Sequence, residues 1–355
     1  MPASPDFLRR LPKAELHCHL EGSVPAATAV ALARAQGVAL PVADPADLYR
    51  FSSLEEFLDR YVWVSGLLTT ADDFAGATYA ALTSAARDGG LRYREMSFNP
   101  TNHPDLPYSQ ALAGVRDGAA AALADAGVTC RFVVAVNREQ GATTALDLVR
   151  EVLAHPCEEV VAVGLDHNEL AARPGVFREA FALAASAGLH RTAHAGERGD
   201  ATEVVECLDV LGVQRIDHGY AVLSDPALVR RLRDAGTHLA ACWSTSVFHG
   251  PGPQDGTAEG LVAPAVSLDA VSPGAVSPVG AMLAAGLAVS VNSDDPPMFG
   301  TDIGTEFVRA GRQLGWTREE AADVALAGLR GAFLPEEQRR ALVTAFEEEL
   351  AALAG

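Results

Sequence analysis

His17 and His19 stand two apart in Glu15-Leu-His-Cys-His-Leu-Glu21. On a strand, alternate side chains share a face, so both imidazoles can point one way while Cys18 points the other. Two neutral imidazoles on one rigid element make half of a metal site. That pair alone is weak evidence, but three further clusters accompany it. His194-Ala-Gly-Glu197, Asp217-His218-Gly219 and Asn292-Ser-Asp294-Asp295-Pro296 each follow an apolar run. Each puts a histidine or carboxylate at the C-terminal end of a predicted strand, where barrel enzymes keep their reacting groups. Any one of them could be a hydrogen-bonded strand end. Four together, all with metal-compatible side chains, point to a metal site.

Rival chemistries lack their signatures. There is no HExxH for a metalloprotease, and no H-x-E with P-C-x-x-C for a cytidine-type or nucleic-acid deaminase. Gly250-Pro-Gly-Pro253 is no phosphate loop, because its prolines remove amide donors and no Lys-Ser/Thr follows.

The elements that must carry these residues are short apolar runs: Ala14–Leu20, Arg92–Phe98, Thr129–Val136, Val160–Asp166, His190–Ala195, Arg215–Tyr220, Thr237–Trp243 and Ala288–Ser293. Several are too apolar to have one wet face, which suits parallel strands covered by helices. Ala- and Leu-rich segments lie between them. Ser53-Leu-Glu-Glu56 and Thr317-Arg-Glu-Glu320 fit capping boxes that start helices. About eight strand–helix units predict an α/β fold closed as a (β/α)8 barrel, with a doubly wound open sheet as the structural rival. Residues 25–90 are too long for one crossover and predict extra helices between the first two strands. Residues 250–278 predict a long loop after the seventh strand, on the active face, either a lid or a disordered segment.

The chain of 355 residues reads as one large domain, 1–355. Its 49% hydrophobic and 21% charged residues are those of a globular protein. A net charge of −19 argues against a nucleic-acid partner, since no basic surface would neutralise phosphates. The five scattered cysteines form no disulfide framework, the N-terminus lacks a signal-peptide core, and no apolar run is long enough to span a membrane. The expectation is a cytoplasmic protein with a small-molecule partner and no membrane partner; monomer and homo-oligomer are equally open.

The four clusters resemble, in order, the signatures of the adenosine and adenine deaminases of the amidohydrolase superfamily: Pro12–Gly22, Thr192–Glu197, Arg215–Gly219 and Val291–Pro296. The resemblance implies a (β/α)8 barrel that hydrolyses a 6-aminopurine to the 6-oxopurine and ammonia. It implies one Zn2+ per chain, held by His17, His19, His194 and Asp294. Glu197 matches the carboxylate that handles the proton at purine N1, His218 the histidine that orients the water, and Asp295 the residue at N7. Contacts to substrate fall to His19, Glu21, Asp166 and Asp295.

Elementary chemistry agrees with those roles. Displacing ammonia from an aromatic carbon at neutral pH needs a hydroxide, and zinc lowers the pKa of bound water to about 7. An acid beside the metal must protonate the ring, and Glu197 is the nearby candidate. Asp295 could instead only cap the helix that follows. Glu21 stands where adenosine deaminases carry Asp, and Gly164-Leu-Asp-His-Asn-Glu169 lacks their later Gly; both features look more like adenine deaminases. Ser293–Gly300 is similar to deaminases of modified adenosines such as aminodeoxyfutalosine, which leaves adenine, adenosine and modified adenosines open. His167, Asn168 and Glu169 read either as purine contacts or as a surface loop, and Trp243 and Phe248 as pocket wall or core. Amide or ester hydrolysis, and metal binding without catalysis, are the competing functions. The first is opposed by the missing lysine of two-metal relatives, the second by Glu197 and His218.

Overall fold

The computed structural model describes residues 1–51, 54–198, 200–249 and 277–354. The eight apolar runs become eight parallel strands: β1 (Lys13–Glu15), β2 (Leu91–Phe98), β3 (Thr129–Asn137), β4 (Val160–Asp166), β5 (His190–Ala195), β6 (Arg215–His218), β7 (His238–Cys242) and β8 (Ala288–Asn292). Each pairs with the next in chain order. Both faces of the strands are covered, and Phe132 to Val136 of β3 are buried without alternation, so their pattern lacks a period of two.

The ring closes between β8 and the segment after β1. Cys18 bridges Asp294 in parallel. The His19 amide donates to the Asp294 carbonyl (3.1 Å), and the Asp294 amide to the His17 carbonyl (3.3 Å). This sequential, closed order is that of a (β/α)8 barrel and excludes the doubly wound sheet.

Two strands, β1 and β6, end more than one residue short of expectation. The first ladder covers only Lys13–Glu15, and Cys18 and His19 rejoin as single bridges to Asp294 and Ser97. The reason is side-chain capture: the Leu16 amide donates to Asn292 Oδ1 (2.8 Å) instead of to a neighbouring carbonyl. The sixth strand stops at His218, because His218 (φ 69°) and Gly219 (φ 77°) turn left-handed and leave the ladder.

Three helices, Ala26–Gln36, Leu54–Ser65 and Ala71–Gly89, fill the long connection between β1 and β2. The Thr317–Glu320 capping box is formed at the start of the helix Arg318–Gly331. Ser53 and residues 250–276 lie outside the described residues. Among those described, no helix is long and apolar enough to cross a membrane.

The N-terminal end of the barrel is plugged. Phe333 packs with Val133 and Ala162, His190 stacks on its ring (centroids 4.5 Å apart), and the Arg215 guanidinium lies 4.2 Å over it. Among the described residues, a cavity opens at the opposite mouth.

Beside the seam lies a buried ion pair. Arg94 Nε donates to Glu15 Oε2 (2.7 Å), and Glu15 Oε1 accepts from the Ser293 amide (2.8 Å). Glu15→Ala leaves a buried guanidinium without its counter-charge and frees an amide of the seam. The expected cost is about 3–5 kcal/mol of unfolding free energy, measured as a lower denaturant midpoint.

Candidate active site

At the open mouth the strand ends bring four buried groups together. His17, His194, His218 and Asp294 each offer one ligand atom, and those atoms all lie within 4.8 Å of one another. His19 joins them: its Nε2 is 3.2 Å from His194 Nε2 and 3.4 Å from Asp294 Oδ1. His17 Nε2 lies 3.1 Å from the same oxygen.

The far nitrogen of each imidazole in the His17, His19 and His194 set faces an acceptor. His17 Nδ1 lies 3.1 Å from the Ala240 carbonyl, which only accepts, so Nδ1 carries the proton and Nε2 presents its lone pair. His19 Nδ1 faces Asp166 Oδ2 at 3.6 Å, and His194 Nδ1 faces Asp217 Oδ2 at 3.7 Å. Those carboxylates are themselves held. Asn99 Nδ2 (2.9 Å) and His167 Nδ1 (2.8 Å) donate to Asp166 Oδ1, and Thr192 Oγ1 (2.8 Å) donates to Asp217 Oδ2. Carboxylate-oriented imidazoles of this kind are the usual surroundings of a bound metal.

The donors suit a metal ion in spacing and in field. Tetrahedral zinc with bonds of about 2.0–2.1 Å needs ligand atoms about 3.3 Å apart, and the separations of 3.1, 3.2 and 3.4 Å among His17, His19, His194 and Asp294 match that edge. Burial opposes charge on all these groups. At His17 the Asp294 carboxylate overrides burial and raises the imidazole above its ordinary range. At His19 burial is likewise overridden, by the hydrogen bond to Asp294 and the charges of Asp295, Asp294 and Asp166, which lift it to about 10. His194 falls well below its ordinary value through burial and the charge of His17. The field thus gathers positive charge at Asp294. A divalent cation meets that field while leaving the imidazoles neutral, in the state that ligates.

A cavity of about 270 Å³ opens beside the cluster. Its lining includes His19, Asp166, His194, Glu197, His218, Asp294 and Asp295, seven of the nine residues singled out from sequence. His17 sits in the cluster behind it. Glu197 Oε1 lies 3.9 Å from His218 Nε2. Burial and then the Asp294 charge push the Asp295 carboxyl up to about 7.

Glu21 is placed differently from the expectation. The described lining of the cavity does not include it; its Oε1 accepts from the Asn99 amide (2.9 Å) and faces His103 Nε2 (3.3 Å). Trp243 is buried in the main core, and the side chain of Phe248 lies outside the described ones.

Phe57, Tyr61 and Phe299 escaped the sequence reading, while His167 and Glu169, read as purine contacts or a surface loop, both line the cavity. Phe57 and Phe299 stack with centroids 5.1 Å apart, and Tyr61 meets the His167 ring edge-on at 6.4 Å. All four line the cavity. Nothing in the local pattern separates Phe57 or Tyr61 from helix core residues. Glu169 is buried, its carboxylate accepting from the amides of Glu197 (3.1 Å) and Arg198 (3.4 Å). Its position three residues past the β4 carboxylate was the available signal.

Fold and cluster define the class: a (β/α)8 hydrolase built around a metal site. The family model described as adenosine deaminase matches residues 12–251 and 260–349, and the chain belongs to that family. It is 36% identical to an adenine deaminase of Streptomyces coelicolor over 338 residues, covering 94% of this chain and 93% of the relative. The crystal structure of an adenine deaminase from Arthrobacter aurescens superposes with a TM-score of 0.83 at 32% identity, covering 97% of this chain and 99% of that one. A zinc-bound amidohydrolase from Burkholderia ambifaria superposes with a TM-score of 0.85 at 29% identity, over 99% and 93%.

The orienting carboxylates give a test separate from catalysis. Asp217→Asn keeps shape but removes the charge that faces His194 Nδ1. Metal affinity, titrated against a chelating indicator, should fall about 10–100-fold.

Proposed function

We propose that this chain hydrolytically removes the 6-amino group of a purine, with adenine as substrate, and that His17, His19, His194 and Asp294 hold one zinc ion. One observation carries the reading: His17, His19, His194 and Asp294 meet through contacts of 3.1, 3.2 and 3.4 Å beside Glu197 and His218, whose side chains approach to 3.9 Å. Zinc held there supplies hydroxide near neutral pH. The remaining work belongs to the protein.

In the net reaction a water oxygen bonds to C6 and the amino group leaves as ammonia. Glu197 gives a proton to ring N1, which draws electrons from C6 and makes it electrophilic. His218 takes the proton of the attacking water and passes it to the amino nitrogen as the C6–N bond breaks, while the C6 hydroxyl gives its proton back to the Glu197 carboxylate. The His218 tautomer is set by Tyr220, whose hydroxyl donates to the Cys242 carbonyl (2.9 Å) and accepts from the Cys242 amide (3.0 Å). The remaining Tyr220 lone pair accepts from His218 Nδ1–H (3.2 Å), so Nε2 keeps its lone pair for the site. Burial holds His218 below its ordinary pKa, which leaves Nε2 free to act as base.

Asp295, pushed up to about 7, can hold a proton and donate it to purine N7. It packs onto Gly22, where a Cβ would stand 1.6 Å from Asp295 Oδ1. That contact explains why the first motif ends in glycine. Asp166 orients His19 from the wall. Glu21 fixes that wall through Asn99, whose amide it holds and whose side chain bonds Asp166.

Two features support adenine over a nucleoside. The relative from Streptomyces coelicolor is an adenine deaminase. The turn after Asp166 is short, and its Glu169 is tied to the exit of β5.

Purified protein should contain about one zinc per chain by metal analysis and release ammonia from adenine faster than from adenosine. Zinc present with no ammonia from any 6-aminopurine would refute the reading. Glu197→Gln should keep the zinc and lose on the order of 10²–10⁴-fold in kcat, read by the absorbance change of the purine.

A further inference from the structure

Glu197 leaves β5 through Gly196, whose φ of 70° turns the chain sharply out of the ladder. Beyond that turn the amides of Glu197 and Arg198 meet one acceptor group, the Glu169 carboxylate. Oε1 takes the Glu197 amide at 3.1 Å and Oε2 the Arg198 amide at 3.4 Å. Glu169 is only 3% exposed. A glutamate kept for solubility would not be buried there, since burying a carboxylate costs free energy unless hydrogen bonds and charges offset it.

The same exit is gripped from a second side. Arg138, fully buried at the end of β3, donates to the carbonyls of His194 and Ala172. Its positive charge also faces Glu169. The backbone carrying Glu169 is fixed in turn: the Leu170 amide donates to Asn168 Oδ1 (3.1 Å) and the Ala171 amide to the Asn168 carbonyl (3.0 Å). Tips of β3 and β4 therefore hold the β5 exit at the carbonyl of a cluster histidine and at the amide of Glu197.

We propose that Glu169 is a positioning residue for the deamination: by chelating the two amides it fixes the Glu197 carboxyl against the reacting ring, and so sets turnover instead of substrate affinity. This rests on the reading of Glu197 as the proton donor to N1. Glu169 lines the cavity as well as the turn. Both of its oxygens take backbone donors, and the split between kcat and KM separates that role from a direct contact to the purine. Burial and then the Glu197 charge push its carboxyl up to about 7, in keeping with two carboxyl groups held at close quarters.

The test compares Glu169→Gln, Glu169→Asp and Glu197→Gln in the zinc-loaded enzyme, with zinc content and thermal midpoint measured for each. Glu169→Gln retains one acceptor but turns an NH2 group against the second amide. Its kcat on adenine should fall on the order of 10²-fold, as misplacement by about 1 Å does, with KM within about threefold. Glu169→Asp keeps the charge but reaches fewer amides, and should fall in between; it also serves as the folded variant should Glu169→Gln be unstable. A normal kcat in Glu169→Gln, a rise confined to KM, or full recovery in Glu169→Asp would each overturn the positioning role. Full turnover in Glu197→Gln would overturn the reading of the site beneath it, and an inactive Glu197→Gln beside an unaffected Glu169→Gln overturns the positioning role alone.

Discussion

Asp294 closes the barrel and the candidate metal cluster with the same few atoms. Its backbone amide and carbonyl pair with His17 and His19 across the seam, while its side chain reaches the Nε2 atoms of both histidines. The last strand cannot dock without completing the ligand set, and the ligands cannot spread without opening the sheet. The candidate donors are therefore held together by the hydrogen bonds that make the fold, which is the preorganisation that the proposed metal site needs. Asn292 and Glu15 serve the same seam from either side. One side chain takes the Leu16 amide and the other the Ser293 amide, where a regular ladder would have used carbonyls.

Beneath the cluster the barrel is filled by charge as well as by apolar bulk. Arg215 Nη1 donates to Glu95 Oε2 (2.6 Å), its Nε lies 3.6 Å from Asp217 Oδ1, and Asp217 faces His194. Glu95 also accepts from Tyr93 (2.8 Å) and from the Phe333 amide in the plug. A polar chain thus runs along the barrel interior from the floor to a cluster histidine. Buried ion pairs seldom stabilise a fold more than apolar groups of the same size would. Here the chain does what leucines could not: it hands His194 an acceptor and fixes the direction of its ring.

How far the sequence reveals this structure follows from which forces are local. Strand positions were legible because strands covered on both faces leave short, continuous apolar runs, and Val160–Asp166 and His190–Ala195 have the expected limits. The ends of β1 and β6 were not legible, since they depend on Asn292 capturing an amide from across the seam and on two consecutive left-handed residues. That the cluster histidines and Asp294 come together could be read because their residue types suit a metal and each sits at or just beyond a strand end. Glu169 and Glu21 could not be placed, because a carboxylate holding distant backbone amides looks the same in sequence as one in solvent. The aromatic wall was hidden for a related reason: Phe57 and Tyr61 obey the helix period whether they face core or cavity.

The exits of the strands show why these residue types recur at the site. Outside glycine, left-handed backbone among the described residues occurs at His167, His218 and Asp294, at the ends of β4, β6 and β8. Such a conformation costs on the order of 1–3 kcal/mol at a non-glycine residue, and Asp and His adopt it more readily than most. Side chains that can ligate metal or carry protons are thus also those that tolerate the turn. The turn swings each side chain out of the ladder's alternation, so that consecutive positions such as Asp166 and His167, or Asp294 and Asp295, all reach the cavity. At β5 the turn falls on Gly196, which brings no side chain of its own and leaves Glu197 beyond the ladder. Beyond that glycine the Glu197 amide leaves the ladder, and Glu169 supplies the acceptor that a neighbouring strand would have given.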